Sequence, residues 1–186
     1  RRVLFRSHKK SILELISYVN HSNANLNPLA HFYYKRVSMD MIIKSPVVST
    51  PLNLFDCSPV SDGAVALVIS NYTNSMRDVE ILSSQFTTDS ISLTQRDNLT
   101  SFTAAKMASK KAYKEADVSP TDIDLLEVHD CFTISELIAL EDLGFCKEGK
   151  ASELIIDGSI LIDGDRPVNT DGGLKANGHP IGASGL

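Results

Sequence analysis

The chain has 186 residues and a formal net charge of −5, with 42% hydrophobic and 22% charged residues. This is the composition of an ordinary globular protein that can fill a sizeable core, and its acidic balance argues against a nucleic-acid-binding surface. No run of 18 apolar residues is present, so we expect no membrane span. Three cysteines without paired spacing (Cys57, Cys131 and Cys146) favour a reducing compartment, and we expect a cytoplasmic protein.

Both ends of the sequence suggest a piece of a longer protein. Residues 1–7 back-translate into the end of a common short-read sequencing adapter, so we expect them to be an assembly artefact. The chain stops at Leu186, directly after a glycine-rich loop, where a helix should begin. We therefore expect the remainder to be an incomplete fold.

The first elements in the chain are predicted to be helical. Apolar residues at helical spacing predict a helix over residues 11–23, with an Asn/Pro loop from Asn20 to Pro28. Ser38 is a candidate cap for a short helix over residues 37–44, which a following proline ends.

The next segments are predicted to be strands. Residues 51–57 indicate one strand, and a turn over residues 58–63 leads into the apolar run 64–69. A continuous apolar run of this length is typical of a strand that is buried on both faces. The polar stretch 71–77 is the best candidate for a linker.

The middle of the chain predicts an α/β alternation. A strand over residues 79–86 and a polar loop over 87–99 precede an amphipathic helix over 101–116, whose lysines we expect to face solvent. A Ser119-Pro120 turn then leads to a strand over residues 123–128.

A strand-to-helix loop follows at residues 129–132. Thr133 and Glu136 have the spacing of a capping box that starts a helix, and Gly144 is the predicted stop of that helix. In such α/β units, ligands bind beyond the carboxyl ends of the strands. The amino end of the helix carries a partial positive charge, so we expect it to lower the pKa of the Cys131 thiol in the loop.

The most distinctive stretch covers residues 172–185, which contain half of the ten glycines and His179 between a glycine and a proline. Glycine permits positive φ and the close approach of a ligand, and proline restricts the direction in which the chain leaves. We interpret His179 as a placed catalytic group. Together with His129 and Cys131 it suits acyl transfer, which needs proton shuttling and oxyanion stabilisation.

Other interpretations of these residues remain open. A zinc set of His129, Cys131, Cys146 and His179 lacks the usual C-x-x-C or H-x-x-x-H spacing, so we expect no metal site. An isolated cysteine in a turn is usually buried filler, and a lone histidine is usually structural. The glycine loop matches neither a hydrolase elbow nor the common phosphate-binding loops.

Three motifs resemble the thiolases, in the archaeal and bacterial acetyl-CoA acetyltransferase branch related to the sterol-carrier-protein-type thiolases. These motifs are GHPIGASG at residues 178–185, HDCF at 129–132 and DCSPVSDGA at 56–64. Residues 23–32 and 168–173 also fit the pattern. The chain is thereby identified as a C-terminal-half fragment of a member of this family.

The resemblance implies an α/β fold, the layered αβαβα thiolase fold of two similar halves, which is incomplete here. Residues 8–72 would form the end of the N-terminal half with part of its loop domain. Residues 73–186 would form a truncated C-terminal half.

The resemblance also implies roles for individual residues. His179 would activate the nucleophilic cysteine and help to stabilise the thioester oxyanion, and His129 would complete that oxyanion site. Cys131 would be the acid/base for transfer of the α-proton. Gly178 and Gly182 would belong to the loop that contacts the coenzyme A thioester.

The implied activity is acetyl-CoA C-acetyltransferase: two acetyl-CoA give acetoacetyl-CoA and CoA, or a 3-ketoacyl-CoA is cleaved in the reverse direction. Coenzyme A thioesters would be substrates, with no permanently bound cofactor. In this family the nucleophilic cysteine lies upstream of residue 1, so the chain alone is expected to be inactive. Implied partners are further copies in a homodimer or homotetramer, an OB/zinc-ribbon protein and hydroxymethylglutaryl-CoA synthase, with neither nucleic acid nor membrane.

Two alternatives stay beside this interpretation. The chain could belong to a non-catalytic thiolase homologue that acts as a scaffold or partner subunit in an acyl-CoA complex. A condensing enzyme of the ketoacyl-synthase type shares the fold, but it would lack the Gly/His/Pro loop.

Overall fold

The computed structural model of the protein describes residues 9–71 and 75–185. The expected artefact at residues 1–7 and the expected boundary between residues 72 and 73 lie outside the described residues.

The described chain is mixed helix and sheet, with the helices dominant. Two short strands, β1 (Val47–Ser49) and β2 (Leu52–Asn53), pair as an antiparallel hairpin. Short 3₁₀ turns occur at Leu54–Asp56, Leu93–Gln95 and Pro120–Asp122. The helices are α1 (Lys10–Ala24), α2 (Met39–Ile43), α3 (Thr103–Ala116), α4 (Thr133–Asp142), α5 (Ala151–Ile156) and α6 (Gly173–Ala176).

The main hydrophobic core lies between α1, α4 and α5. Leu13 and Ile16 of α1 and Leu137 and Leu140 of α4 are fully buried in one cluster, which also includes Ile155 of α5. Burying a side chain of this size contributes about 1.5–3 kcal/mol, so these contacts hold the three helices together. The elements that carry the candidate site rest on this core.

The sequence correctly predicts α1, α2, α3 and α4 but not α5 or α6, and the end of α1 differs. The predicted loop from Asn20 does not begin there, because the helix continues to Ala24. The amide groups of Asn20 and Asn23 are buried and donate hydrogen bonds to distant residues, including the Asn169 carbonyl at 3.0 Å. Those tertiary hydrogen bonds outweigh the tendency of asparagine to end helices.

The start of α4 also differs from the prediction, whereas its end agrees. Thr133 is the first helical residue and not the cap, and its hydroxyl donates to Asp56 Oδ1 at 3.0 Å. The predicted capping box is therefore wrong. Gly144 has φ +83° and follows the helix in a Schellman arrangement, with the Phe145 amide donating to the Leu140 carbonyl at 3.0 Å.

Within the described residues, most of the segments predicted to be strands do not pair with a neighbouring strand. The apolar run 64–69 and the segment 79–86 contain neither helix nor strand, and Val68 is 92% exposed. Residues 58–63 form no turn, and the strand predicted over 51–57 is reduced to β2 and an isolated antiparallel bridge between Cys57 and Phe132. Periodicity reports which residues prefer burial, whereas a strand also needs a neighbouring segment to accept its hydrogen bonds.

The predicted strand 123–128 survives as a single parallel bridge between Leu126 and Val168. Leu126 donates to the Pro167 carbonyl at 3.0 Å, and the Asn169 amide donates to the Leu126 carbonyl at 2.9 Å. This bridge places the segment after residue 128 beside the segment after residue 169. Within the described ranges, no helix combines the length and the apolar character needed to cross a membrane.

Candidate active site

The position of His129 follows from the bridge between Leu126 and Val168. After that bridge the backbone pairing ends, because the Val128 amide donates to the side-chain oxygen of Asn169, Oδ1, at 2.8 Å and not to a backbone carbonyl. His129 is thus the first residue beyond the paired segment. It therefore lies just beyond the bridge that remains of the predicted strand, with three residues between it and the start of α4 at Thr133.

His179 is held by contacts on both sides of its loop. On one side the amide of His31 donates to the Asn177 carbonyl at 2.7 Å. On the other, the His179 amide donates to Ser61 Oγ at 2.7 Å. Gly178 between them has φ +126°, a conformation that a residue with a Cβ rarely adopts.

The structure brings the two predicted histidines together. The ring centroids of His129 and His179 lie 5.1 Å apart with an interplanar angle of 86°, an edge-to-face contact. Burial, and then the positive charge that His179 would carry, lower the pKa of His129 below its ordinary value. His129 is therefore neutral at pH 7 and carries one N–H donor.

The geometry around His179 also indicates which ring nitrogen carries its proton. Its Nδ1 lies 2.8 Å from Ser184 Oγ, and the Ser184 hydroxyl donates to the Pro180 carbonyl at 3.0 Å. Because the hydroxyl has one hydrogen, its oxygen accepts from His179 Nδ1–H. In the neutral ring Nε2 is then the unprotonated nitrogen, which can accept a proton.

Cys131 is half-buried, and its thiol behaves differently from the expectation. Burial raises the pKa of Cys131, and this effect is larger than the opposing hydrogen bonds from Ser135 and the Phe132 amide. The expected lowering of this pKa by the helix terminus is thus wrong. Desolvation of the thiolate outweighs the helix terminus, so Cys131 is a protonated thiol at pH 7.

A cleft of about 410 Å³ opens beside His129. Its walls include Ser184 on the His179 loop and Leu174 at the start of α6. Glu127 also lines it and accepts hydrogen bonds from the amide and the hydroxyl of Thr170, at 2.9 and 2.8 Å. Burial outweighs these hydrogen bonds and raises the pKa of Glu127 to about 7.

Comparisons with known proteins identify the family of the chain. Residues 86–186, more than half of the chain, match the thiolase C-terminal domain-like family. The chain belongs to the thiolase family. It is 44% identical over 182 residues to an acetyl-CoA acetyltransferase of Methanocaldococcus jannaschii. The match covers 94% of this chain and 46% of that protein.

More distant relatives point to the same fold. Sterol carrier protein 2 of Gallus gallus is 36% identical over 180 residues, which cover 92% of this chain and 33% of that protein. The Ltp2-ChsH2(DUF35) aldolase structure superposes with a TM-score of 0.80 at 25% identity, over 98% of this chain and 50% of that one. The expected thiolase fold is therefore confirmed. The chain spans about half the length of the acetyltransferases that it matches.

The two glycines assigned to the thioester loop of this thiolase chain have different surroundings. A Cβ built on Gly178 would lie 3.1 Å from Ser61 Oγ, so the loop itself explains that glycine. A Cβ on Gly182 would meet nothing within 4 Å. Contact of either glycine with coenzyme A stays a prediction.

The other two cysteines of the thiolase chain have no sign of activation. Burial raises the pKa of Cys146 to about 12 and also raises that of Cys57, whose Sγ lies 3.5 Å from the Asn53 carbonyl. A nucleophilic thiol needs the opposite effect. Among the residues that the structure describes, no three histidine, cysteine or acidic side chains are placed to hold a metal ion together.

A buried polar network that the sequence did not predict lies behind the two histidine loops. The Asn20 side-chain amide donates to Asp130 Oδ2 and to Glu136 Oε2, both at 2.8 Å, and the Asn169 amide donates to Glu136 Oε2 at 2.9 Å. Burial and the nearby Asp130 charge raise the pKa of Glu136 to about 8, and burial raises that of Asp130 to about 6. Lys175 is buried beside them, and desolvation lowers its pKa to about 8.

Two kinds of signal could have identified the missed residues. Asp130 stands between His129 and Cys131, and Ser184 lies within the glycine loop, so both had neighbours that were already singled out. Ser61 lies in the DCSPVSDGA motif, but nothing in the sequence singles out its hydroxyl. Asn20 carries no local signal, since its partners are more than 100 positions away.

Proposed function

We propose that the whole protein is a thiolase-type acyltransferase, most simply an acetyl-CoA C-acetyltransferase. The observation that carries the proposal is the edge-to-face contact of His129 and His179, two residues that lie 50 positions apart in the sequence. Two imidazoles at one place can supply both a base and an oxyanion donor, which acyl transfer from a thioester requires. The 44% identity to an acetyl-CoA acetyltransferase supports the choice of substrate class.

In the first step, His179 Nε2 takes the proton of a nucleophilic thiol. The thiolate attacks the carbonyl carbon of acetyl-CoA and the carbon–sulfur bond to coenzyme A breaks. The released coenzyme A thiolate takes a proton from solvent, while Nε2 keeps the proton of the nucleophile. Ser184 supports this step because its oxygen accepts from Nδ1–H and so leaves Nε2 unprotonated. General base catalysis of this kind contributes about 10²–10⁴-fold to the rate.

In the second step, a second acetyl-CoA loses an α-proton and its thioester oxygen becomes an enolate. The N–H of neutral His129 and the N–H that His179 has gained are the proposed donors to that oxygen. One such donor is worth about 2.7–4 kcal/mol in another enzyme's oxyanion hole. The enolate carbon then attacks the carbonyl carbon of the acetyl-enzyme thioester, and the carbon–sulfur bond to the nucleophile breaks. The released thiolate takes back its proton from His179 Nε2, and the product is acetoacetyl-CoA.

Cys131 is the proposed acid/base for the α-carbon. Its raised pKa holds it as a thiol, the form that donates a proton to the α-carbon when a 3-ketoacyl-CoA is cleaved. In the synthetic direction the thiol first loses its proton to solvent, and the resulting thiolate then removes the α-proton, which restores the thiol. Its place two residues after His129 supports a role at the atom next to the stabilised oxygen.

We place the nucleophilic cysteine outside this chain. Burial raises the pKa of Cys57 and of Cys146, so neither has the lowered pKa of an activated thiol. The chain spans about half the length of its acetyltransferase relatives, which leaves room for that residue in the whole protein. On this proposal residues 9–185 alone give no turnover.

The proposal is tested by His179→Ala in the whole protein, with acetyl transfer and α-proton exchange measured separately. Loss of the base and of an oxyanion donor should lower both rates by at least about 100-fold. His31→Ala, which removes an exposed imidazole from a neighbouring turn, is the matched control. Near-normal turnover of His179→Ala would exclude the assignment, and an inactive wild-type protein would favour the scaffold alternative.

Partners and location are part of the same proposal. We propose a homodimer or homotetramer in the cytoplasm, working beside an OB/zinc-ribbon protein and hydroxymethylglutaryl-CoA synthase. The structural neighbour Ltp2-ChsH2(DUF35) aldolase, whose name joins two components, supports a second chain next to this fold. The masses of mixtures of the separately purified proteins, measured by light scattering, test these associations.

A further inference from the structure

Asp130 connects the two loops that carry the histidines. It lies between His129 and Cys131, and its side chain is completely buried. Its Oδ1 accepts from the Leu174 amide at 2.6 Å, and its Oδ2 lies 3.4 Å from the Lys175 amide. Both amides belong to α6, which ends three residues before His179.

The backbone of α6 approaches this carboxylate so closely that a glycine is required. Gly173 has φ +59°, and a Cβ built on it would lie 2.4 Å from Asp130 Oδ2. Real Cβ atoms essentially never lie within 3.0 Å of a neighbouring heavy atom, so a side chain here would displace α6 or the carboxylate. The glycine therefore serves the contact between the two loops.

The carboxylate is itself held from behind. The Asn20 side chain donates to Asp130 Oδ2 and to Glu136 Oε2, both at 2.8 Å. Asn169 donates to the same Glu136 oxygen at 2.9 Å, while its own oxygen accepts from the Val128 amide at 2.8 Å. Short hydrogen bonds therefore connect Asp130 to α1 through Asn20. From Asn20 they continue to α4 through Glu136, and from there through Asn169 to the segment before His129.

We propose that Asp130 is a positioning residue that sets the distance between the His129 and His179 rings by tying α6 to the segment that carries His129. It contacts backbone amides and the Asn20 side chain rather than the reacting atoms, so its effect on the reaction passes through the two imidazoles. A buried carboxylate with several donors suits this task, because charge-assisted hydrogen bonds are shorter and stronger than neutral ones.

The catalytic consequence rests on the proposed function, whereas the positioning itself does not. A misplacement of about 1 Å can cost about 100-fold in rate when reacting groups must be oriented. Asp130→Ala leaves the Leu174 amide without its acceptor and the Asn20 amide with one partner fewer. We therefore expect α6 to shift and the edge-to-face contact of the rings to be lost.

The experiment measures ring position and turnover in the same whole-protein variants. Imidazole NMR of wild-type protein should show a His129 pKa below the ordinary value, partly because His179 lies beside it. In Asp130→Ala this pKa should rise, and kcat should fall by about 100-fold with KM little changed. Asp124→Ala, an exposed carboxylate earlier in the same segment, is the matched control and should match wild type.

Asp130→Asn keeps the test decisive if the alanine variant does not fold. The asparagine oxygen can still accept from the Leu174 amide, so we expect kcat between those of wild type and Asp130→Ala, with a smaller rise in the His129 pKa. A folded Asp130→Ala or Asp130→Asn protein with wild-type His129 titration and wild-type kcat would overturn the proposal. Retained turnover in His179→Ala would instead overturn the proposed function, and the NMR titration would still decide the role of Asp130.

Discussion

Replacing Ser184 with alanine removes the hydroxyl that accepts the His179 Nδ1–H at 2.8 Å. The backbone hydrogen bond from the Ser184 amide to the Pro180 carbonyl, at 3.1 Å, does not need the side chain and should persist. The loop should therefore keep its course while the imidazole loses the partner that selects its tautomer. We expect Nε2 to carry the proton in part of the molecules, which removes the base from those molecules.

The size of the effect follows from the strength of this hydrogen bond. A neutral side-chain hydrogen bond contributes about 1 kcal/mol net, which corresponds to roughly a fivefold loss in the rate of acyl transfer. Ser184→Thr keeps a hydroxyl on the same carbon and should recover most of the rate.

Single-turnover acylation of the whole protein by acetyl-CoA measures this step without the later condensation. Nitrogen-15 chemical shifts of the His179 ring report the tautomer directly, and in wild type they should show Nδ1 protonated. Wild-type acylation by Ser184→Ala, together with an unchanged Nδ1–H signal, would refute the reasoning.

Three further predictions concern the acid/base, the buried network and the exposed apolar run. Cys131→Ala should lower condensation by at least about 100-fold and spare acyl-enzyme formation, with Cys146→Ala as control; equal loss of both steps would contradict the acid/base role. The pKa of Glu136 is raised to about 8, so the folded state holds a proton that the unfolded chain releases near pH 4.5, and stability falls as pH rises between these values. Thermal unfolding of Glu136→Gln should therefore show a higher Tm than wild type at pH 8 but not at pH 4, and equal Tm differences at both pH values would argue against it. Val68→Lys changes a side chain that is 92% exposed, so it should reduce self-association in light scattering without lowering Tm; a Tm drop of several degrees would show that Val68 is buried.

Local patterns were sufficient where the physical cause is local. The helical spacing of Leu13 and Ile16, the Ser38 cap and the positive φ of Gly144 each depend on residues within one or two turns, and the structure contains all three features. The capping box at Thr133 failed although it is also a local pattern. The Thr133 hydroxyl donates to Asp56, 77 positions earlier in the chain, and the Glu136 carboxyl accepts from Asn169 in the buried network.

The sequence singled out two histidines that the structure brings together, but it did not give the state of each side chain at the candidate site. His129 and His179 were singled out because each lies on tight backbone at the edge of an element, and the structure places their rings 5.1 Å apart. The direction of the Cys131 pKa was predicted wrongly, because desolvation depends on what packs around the thiol.

The order of residues by itself determined the main helices, the family motifs and the three side chains proposed for the chemistry. Tertiary structure decided which apolar segments pair as strands, which ring nitrogen of His179 is protonated, and how Asp130 joins the two loops. The reason is physical. A helix satisfies its backbone within a few residues, whereas a strand or a buried carboxylate needs donors from elsewhere, as Asn20 and Asp130 show across 110 positions.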